Sequence, residues 1–88
     1  MKLTVINAND LNALKQALGL ETDVLLLQDG VYLLNKAMNI EFSDIKLHAL
    51  DVDVQKRGLS DRLMDGVELI DYDGMVDLLF SSETVVNL

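Results

Sequence analysis

The sequence predicts an α/β domain built on a mostly parallel sheet, and three observations carry that prediction. The stretch Asp23-Val24-Leu25-Leu26-Leu27-Gln28-Asp29-Gly30-Val31-Tyr32 contains an unbroken apolar run, Val24 to Leu27. A run without inside–outside alternation suits a strand buried on both faces, as in a parallel sheet between layers. Strand-like and helix-like segments alternate along the chain, which implies parallel strands joined by right-handed crossovers. Finally, Tyr72, Met75, Val76, Leu79 and Phe80 fall at helical spacing, the cleanest amphipathic pattern present.

Taken in order, Met1 to Ile6 is β-rich and reads as a first strand, too short for a signal peptide. Asn9 or Asp10 can cap a helix through a side-chain oxygen. Leu11, Leu14 and Leu18 give that helix its apolar face, and Gly19 is expected to end it. After the central strand, Gln28 and Asp29 halt the apolar pattern, and Gly30 permits a tight turn or a close backbone approach. Val31, Leu34 and Met38 predict a second helix from Val31 to Met38. A loop from Asn39 to Asp44 brings in Phe42.

Ile45 to Leu50 is the third expected strand. Asp51 is expected to cap a short helix stopping at Gly58, and Leu59 to Met64 reads as a turn or short helical piece with Ser60 as its cap. Val67 to Ile70 is a fourth strand, Asp71 caps the last helix, and Thr84-Val85-Val86 forms a short terminal strand. No linker, repeat or low-complexity tract interrupts the chain, so residues 1–88 form one small domain.

Composition narrows the function. The formal charge is −8, which repels phosphate backbones and anionic membrane surfaces and argues against direct nucleic-acid or membrane binding. No stretch approaches the ~20 apolar residues of a membrane span. The chain has no cysteine, which excludes a disulfide framework, a thiolate zinc site and a thiol nucleophile. The absence fits a cytoplasmic protein.

Three further stretches carry a resemblance. They are Leu25-Leu26-Leu27-Gln28-Asp29-Gly30-Val31; His48-Ala49-Leu50 with Asp53 and Arg57-Gly58-Leu59; and Glu68-Leu69-Ile70-Asp71-Tyr72 with Met75-Val76-Asp77-Leu78. In order and separation they resemble the DsrH/TusB family of sulfur-relay proteins, over residues 23 to 80. The resemblance implies a three-layer α/β/α sandwich with a mostly parallel, four- to five-stranded sheet. It implies assembly with homologous DsrE/TusD-like and DsrF/TusC-like subunits that pass persulfide sulfur toward tRNA 2-thiouridine, or toward sulfur oxidation in sister complexes. Some family members carry a cysteine in the first helix, where this chain has Ala13 and Leu14. His48 stands where TusB-like chains tend to have tyrosine. The resemblance therefore implies a non-catalytic subunit without a cofactor. A self-associating binding or regulatory domain is the alternative from another class.

The candidate interface residues are Gln28, Asp29, Gly30, Tyr32, His48, Tyr72 and Met75. His48 is the only histidine. A general base is conceivable there, but no serine or cysteine partner is identifiable, so a structural or interface role is favoured. Asp29 lies where open α/β sheets bind ligands, yet the simpler reading is a cap on the next helix. Asp51/Asp53 and Asp71/Asp73 could be hard-metal ligands, but carboxylates at helix starts are ordinary. Tyr72 and Met75 read as core or as a subunit contact, where aromatics and methionine are enriched. Arg57 reads as a partner for nearby carboxylates.

A parallel sheet needs both faces covered, and the expected helices, Asp10 to Leu18, Val31 to Met38 and Asp71 to Phe80, cover one face and part of the other. The protein is therefore expected to associate at micromolar concentration. An interface of about 800 Å2 per partner would bury the uncovered patch. Sedimentation that finds a compact 9.8 kDa monomer at every concentration, with no partner needed for solubility, contradicts this expectation.

Overall fold

The computed structural model describes residues 2–88; Met1, at the start of the expected first strand, lies outside them. The five strands are β1 (Lys2–Ile6), β2 (Asp23–Leu26), β3 (Leu47–Leu50), β4 (Val67–Ile70) and β5 (Thr84–Asn87). They form one sheet in the order β4-β3-β2-β1-β5, with every pairing parallel. The helices are α1 (Leu11–Gly19), α2 (Asp51–Lys56) and α3 (Tyr72–Ser81), with two 3-10 segments at Gln28–Leu34 and Lys36–Met38.

The central run behaves as a strand buried on both faces. Val24 and Leu26 pack with Ile6, Leu47 and Ala49 on one face, under Ala13, Leu14 and Ala17 of α1. Val31, Leu33, Leu34 and Val54 of the following segments join the same cluster. Leu25 faces the other way, with Leu3 and Val5, and is covered by Met75, Leu78 and Leu79 of α3. The chain thus forms three layers, with α1, the 3-10 segments and α2 on one face and α3 alone on the other.

Local chemistry explains most boundaries. Asp10 caps α1, its carboxylate accepting from the backbone N–H groups of Asn12 and Ala13 at 3.0 and 3.3 Å. Asp71 caps α3 by accepting from Gly74 N–H at 2.8 Å. After α2, Gly58 adopts φ +66, and Leu59 N–H donates to the Val54 carbonyl at 3.1 Å. That is a Schellman ending, with Leu59 and Val54 both in the core.

Four expectations need correction. Gly19 is the last residue of α1 rather than its left-handed terminator. Glu21 takes that role at φ 57, with Thr22 N–H donating to the Ala17 carbonyl at 3.4 Å. Asp51 does not cap α2; it is the helix's first residue, and its carboxylate accepts from Gln55 Nε2 at 3.1 Å. The Val31–Met38 helix is instead two 3-10 pieces separated by an extended Asn35. There the backbone docks on residues 62–64: Lys36 N–H donates to the Arg62 carbonyl at 2.7 Å, and Met64 N–H to the Leu34 carbonyl at 2.9 Å. These tertiary bonds draw groups away from a helical ladder. Finally, β3 begins at Leu47 rather than Ile45, because Lys46 N–H is held by the Asp23 carboxylate at 2.8 Å.

Gly30 is needed for close approach. A Cβ there would collide with the carbonyl oxygen of Ile6 at the end of β1. Both groups are backbone, so neither can swing aside. Gly30→Ala is expected to destabilise the fold by about 2–3 kcal/mol, read as a lower denaturant midpoint at unchanged m-value.

Candidate docking site

Because every strand runs the same way, the carboxyl ends of β1 to β4 line one edge of the sheet, where open α/β sheets bind ligands. The turn after β2 and the start of α2 after β3 meet there. Leu27, just past β2, is extended, and Gln28 follows at φ 49. Gln28 N–H donates to Asp53 Oδ2 at 2.8 Å. Asp53 is 9% exposed, so its carboxylate is buried against the backbone it holds.

Arg57 closes the cluster. Its Nε donates to Asp29 Oδ1 at 3.0 Å, and its Nη2 lies 3.0 Å from the same oxygen. Its Nη1 donates to the Asp53 carbonyl at 3.3 Å and lies 3.7 Å from Asp53 Oδ1. The guanidinium also sits 5.9 Å from the centre of the Tyr32 ring, within cation–π range. The arginine is committed to two carboxylates and one ring, which makes it a clamp between the β2 turn and α2 rather than an anion receptor. Asp29 is consequently not a helix cap: its carboxylate takes Arg57, and no side chain caps this 3-10 segment.

Of the candidate interface residues, Gln28, Asp29, Gly30 and Tyr32 come together at this turn. Tyr72 stands on the same edge, where α3 begins, and lines a shallow depression of about 240 Å³ with Leu50, Asp51 and Gln55. His48 and Met75 lie elsewhere. His48 points to the α3 face of the sheet, level with Leu25 and Glu68 in the strand register. It is 7% exposed. Among the described residues, neither ring nitrogen has a hydrogen-bond partner, and Nδ1 lies 3.5 Å from Glu68 Oε2.

Helix α3 does not present the single apolar stripe that its spacing suggests. Met75, Leu78 and Leu79 turn inward onto Leu3, Val5 and Leu25. Tyr72, Val76 and Phe80, at i, i+4 and i+8, remain exposed, and Phe80 is 86% exposed. No residue of α3 is fully buried. Sequence reasoning missed two things here. It placed Asp53 only as an ordinary helix-start carboxylate, since its long-range bond to Gln28 leaves no local trace. It also did not separate the covered edge of the apolar arc of α3 from its exposed edge.

Among the described residues, no group of three or more His, Cys, Asp or Glu side chains could hold a metal ion. No helix among them is long and apolar enough to cross a membrane. The geometry defines a class: a small all-parallel α/β domain whose carboxyl edge is clamped by ion pairs and whose last helix leaves part of a broad apolar arc exposed.

The comparisons narrow that class. The family pattern described as "DsrH like protein" matches residues 5–85, reaching further toward the amino end than residues 23 to 80. Protein TusB of Photorhabdus laumondii is 36% identical over 74 residues, covering 78% of this chain and 77% of that one. The crystal structure of the ychN protein from E. coli superposes with a TM-score of 0.77 at 16% identity, covering 100% of this chain and 99% of the other; that likeness establishes the fold alone. The chain belongs to the DsrH family, whose members are sulfur-relay subunits.

The clamp yields a ranking of effects. Asp53→Ala leaves Gln28 N–H and part of the arginine unpaired, and is expected to cost about 1–3 kcal/mol. Asp29→Ala removes a 64%-exposed side chain from its pair and is expected to cost under about 1 kcal/mol. Urea unfolding of the two variants side by side checks the order.

Proposed function

We propose that this chain is a non-catalytic docking subunit of a sulfur relay that serves tRNA 2-thiolation. Family membership supports the relay, and the TusB relative supports the tRNA branch over sulfur oxidation. The chain has no cysteine, so it has no thiol to carry persulfide sulfur. The sulfur then travels on homologous, cysteine-bearing partners of the DsrE/TusD and DsrF/TusC kinds, in the cytoplasm.

One observation carries the docking role: the exposed line Tyr72, Val76 and Phe80, beside the flank of α3 (Met75, Leu78 and Leu79) that already faces the core. The apolar arc of α3 is wider than the part that meets the sheet, and a partner subunit supplies the cover for the remainder. Tyr72 joins this line to the clamped edge at Gln28, Asp29, Gly30 and Tyr32, so one partner surface can span both. Met75 and His48 support the interface from beneath.

Co-expression with the paralogous subunits tests the proposal. Tyr72→Glu and Phe80→Glu are expected to retain the fold, because both side chains are exposed. They should reduce co-purification at least tenfold and lower 2-thiouridine in the tRNA of a complemented deletion strain. Met75→Glu is expected to unfold the chain instead. Undiminished thiolation in the deletion strain would sink the proposal. A stable self-assembly that ignores the paralogues would favour a self-associating regulatory domain.

A further inference from the structure

At the opposite edge of the sheet lies a cleft of about 1100 Å³, bounded by the end of α1, the loop 39–45 and the turn before β4. Neither the clamped edge nor α3 contributes to it. Its floor is apolar: Leu18, Ile40, Phe42 and Ile45 are part-buried and continuous with the main core, and Met64 is buried beneath them. Its rim carries Glu21, Glu41, Asp44 and Asp65 against a single cation, Lys36.

The backbone holds the rim in this arrangement. Glu21, Asn39 and Asp44 have φ of 57, 50 and 64, and Gly66 has φ 87. Left-handed backbone is costly for non-glycine residues, glutamate in particular. Among the described residues, no other side chain holds the carboxylates of Glu21, Glu41, Asp44 or Asp65 in a hydrogen bond or ion pair. Gly66 also leaves room for the Phe42 ring, which lies 3.3 Å from where a Cβ would stand.

We propose that this cleft is a second docking surface, for a protein segment that presents an aromatic or aliphatic anchor flanked by lysine or arginine. The apolar floor takes the anchor, and four carboxylates against one ammonium select positive flanks. The same charge rejects nucleic acid. This surface goes beyond the relay role proposed above and does not depend on it. It lies on the sheet edge away from the clamped turn, so both surfaces can be occupied at once.

The test uses the full chain, labelled with 15N, and a twelve-residue probe peptide carrying one Phe among four Arg. Comparison probes replace Phe with Ala, or each Arg with Glu. The expected result is saturable binding with amide shifts centred on Leu18, Ile40, Phe42, Ile45 and Gly66. Affinity should fall about tenfold with the Phe-to-Ala probe and vanish with the Glu probe. The rim variant Glu41→Gln/Asp44→Asn/Asp65→Asn should weaken binding about tenfold. Asparagine tolerates the left-handed backbone at position 44, so the fold should survive, as the amide spectrum will report. The control Asp61→Asn/Asp73→Asn/Asp77→Asn should change affinity less than about twofold. Absence of binding overturns the proposal. So do equal losses in rim and control variants, indifference to the Phe, shifts centred on α3, or a short RNA binding in place of the peptide.

Discussion

The hand of the crossovers decides which surfaces this domain has left to offer. From β1 to β2 to β3 to β4 the chain always steps the same way across the sheet. Right-handed connections then place every intervening helix on one face. The step from β4 back to β5 reverses direction and so puts α3 on the other face, alone. Five strands at about 4.8 Å spacing make a sheet roughly 20 Å wide, and one helix spans about 10 Å. Helix α3 covers Leu3, Val5 and Leu25 in the middle. All of β5 and the middle of β4 stay exposed.

The clamp at the carboxyl edge follows from the same topology. A parallel sheet gathers the turns after its strands on one edge, so a residue after β2 can meet residues of α2 despite 25 or more positions between them. Gly30 seats the β2 turn against Ile6, Asp53 holds Gln28 N–H, and Arg57 ties Asp29 to α2. The strongest of these bonds is the buried one. The Arg57–Asp29 pair lies nearer water and adds geometry more than stability. The edge is therefore rigid and spent: its charged groups are engaged with each other, which suits a surface to be recognised rather than one that reacts.

Much of this was legible in the sequence. The Val24–Leu27 run and the alternation of elements predicted the parallel sheet, and Val67 to Ile70 matches β4 residue for residue. Asp10 and Asp71 cap as their positions suggest, because capping is a local bond. Legibility ended where tertiary bonds override local preference. Nothing near Asn35 announces that Arg62 and Leu34 will exchange backbone bonds with segments far along the chain. Asp53 looked like any acid in a first turn. The seven candidate interface residues divided for the same reason: four adjacent ones stay together, whereas His48 and Met75 depend on which face their strand or helix turns inward. Spacing alone gave α3 one stripe, and only the placement of β5 shows which half of it meets the sheet.

The partner of that helix can be argued one step further. Asp73 and Asp77 follow Tyr72, Val76 and Phe80 around the surface of α3, and Asp71 stands at its start. If two copies met through this stripe with their α3 helices antiparallel, the two acidic edges would lie on the same side of the contact, and like charges juxtaposed at an interface cost several kcal/mol, by rough estimate. The chain's overall −8 adds a weaker repulsion that salt screens. An apolar stripe edged by one sign of charge would favour a surface of the opposite sign over its own copy. An uneven sheet leaves an apolar stripe open on α3, and its acidic edge fits a chain of different sequence better than a second copy.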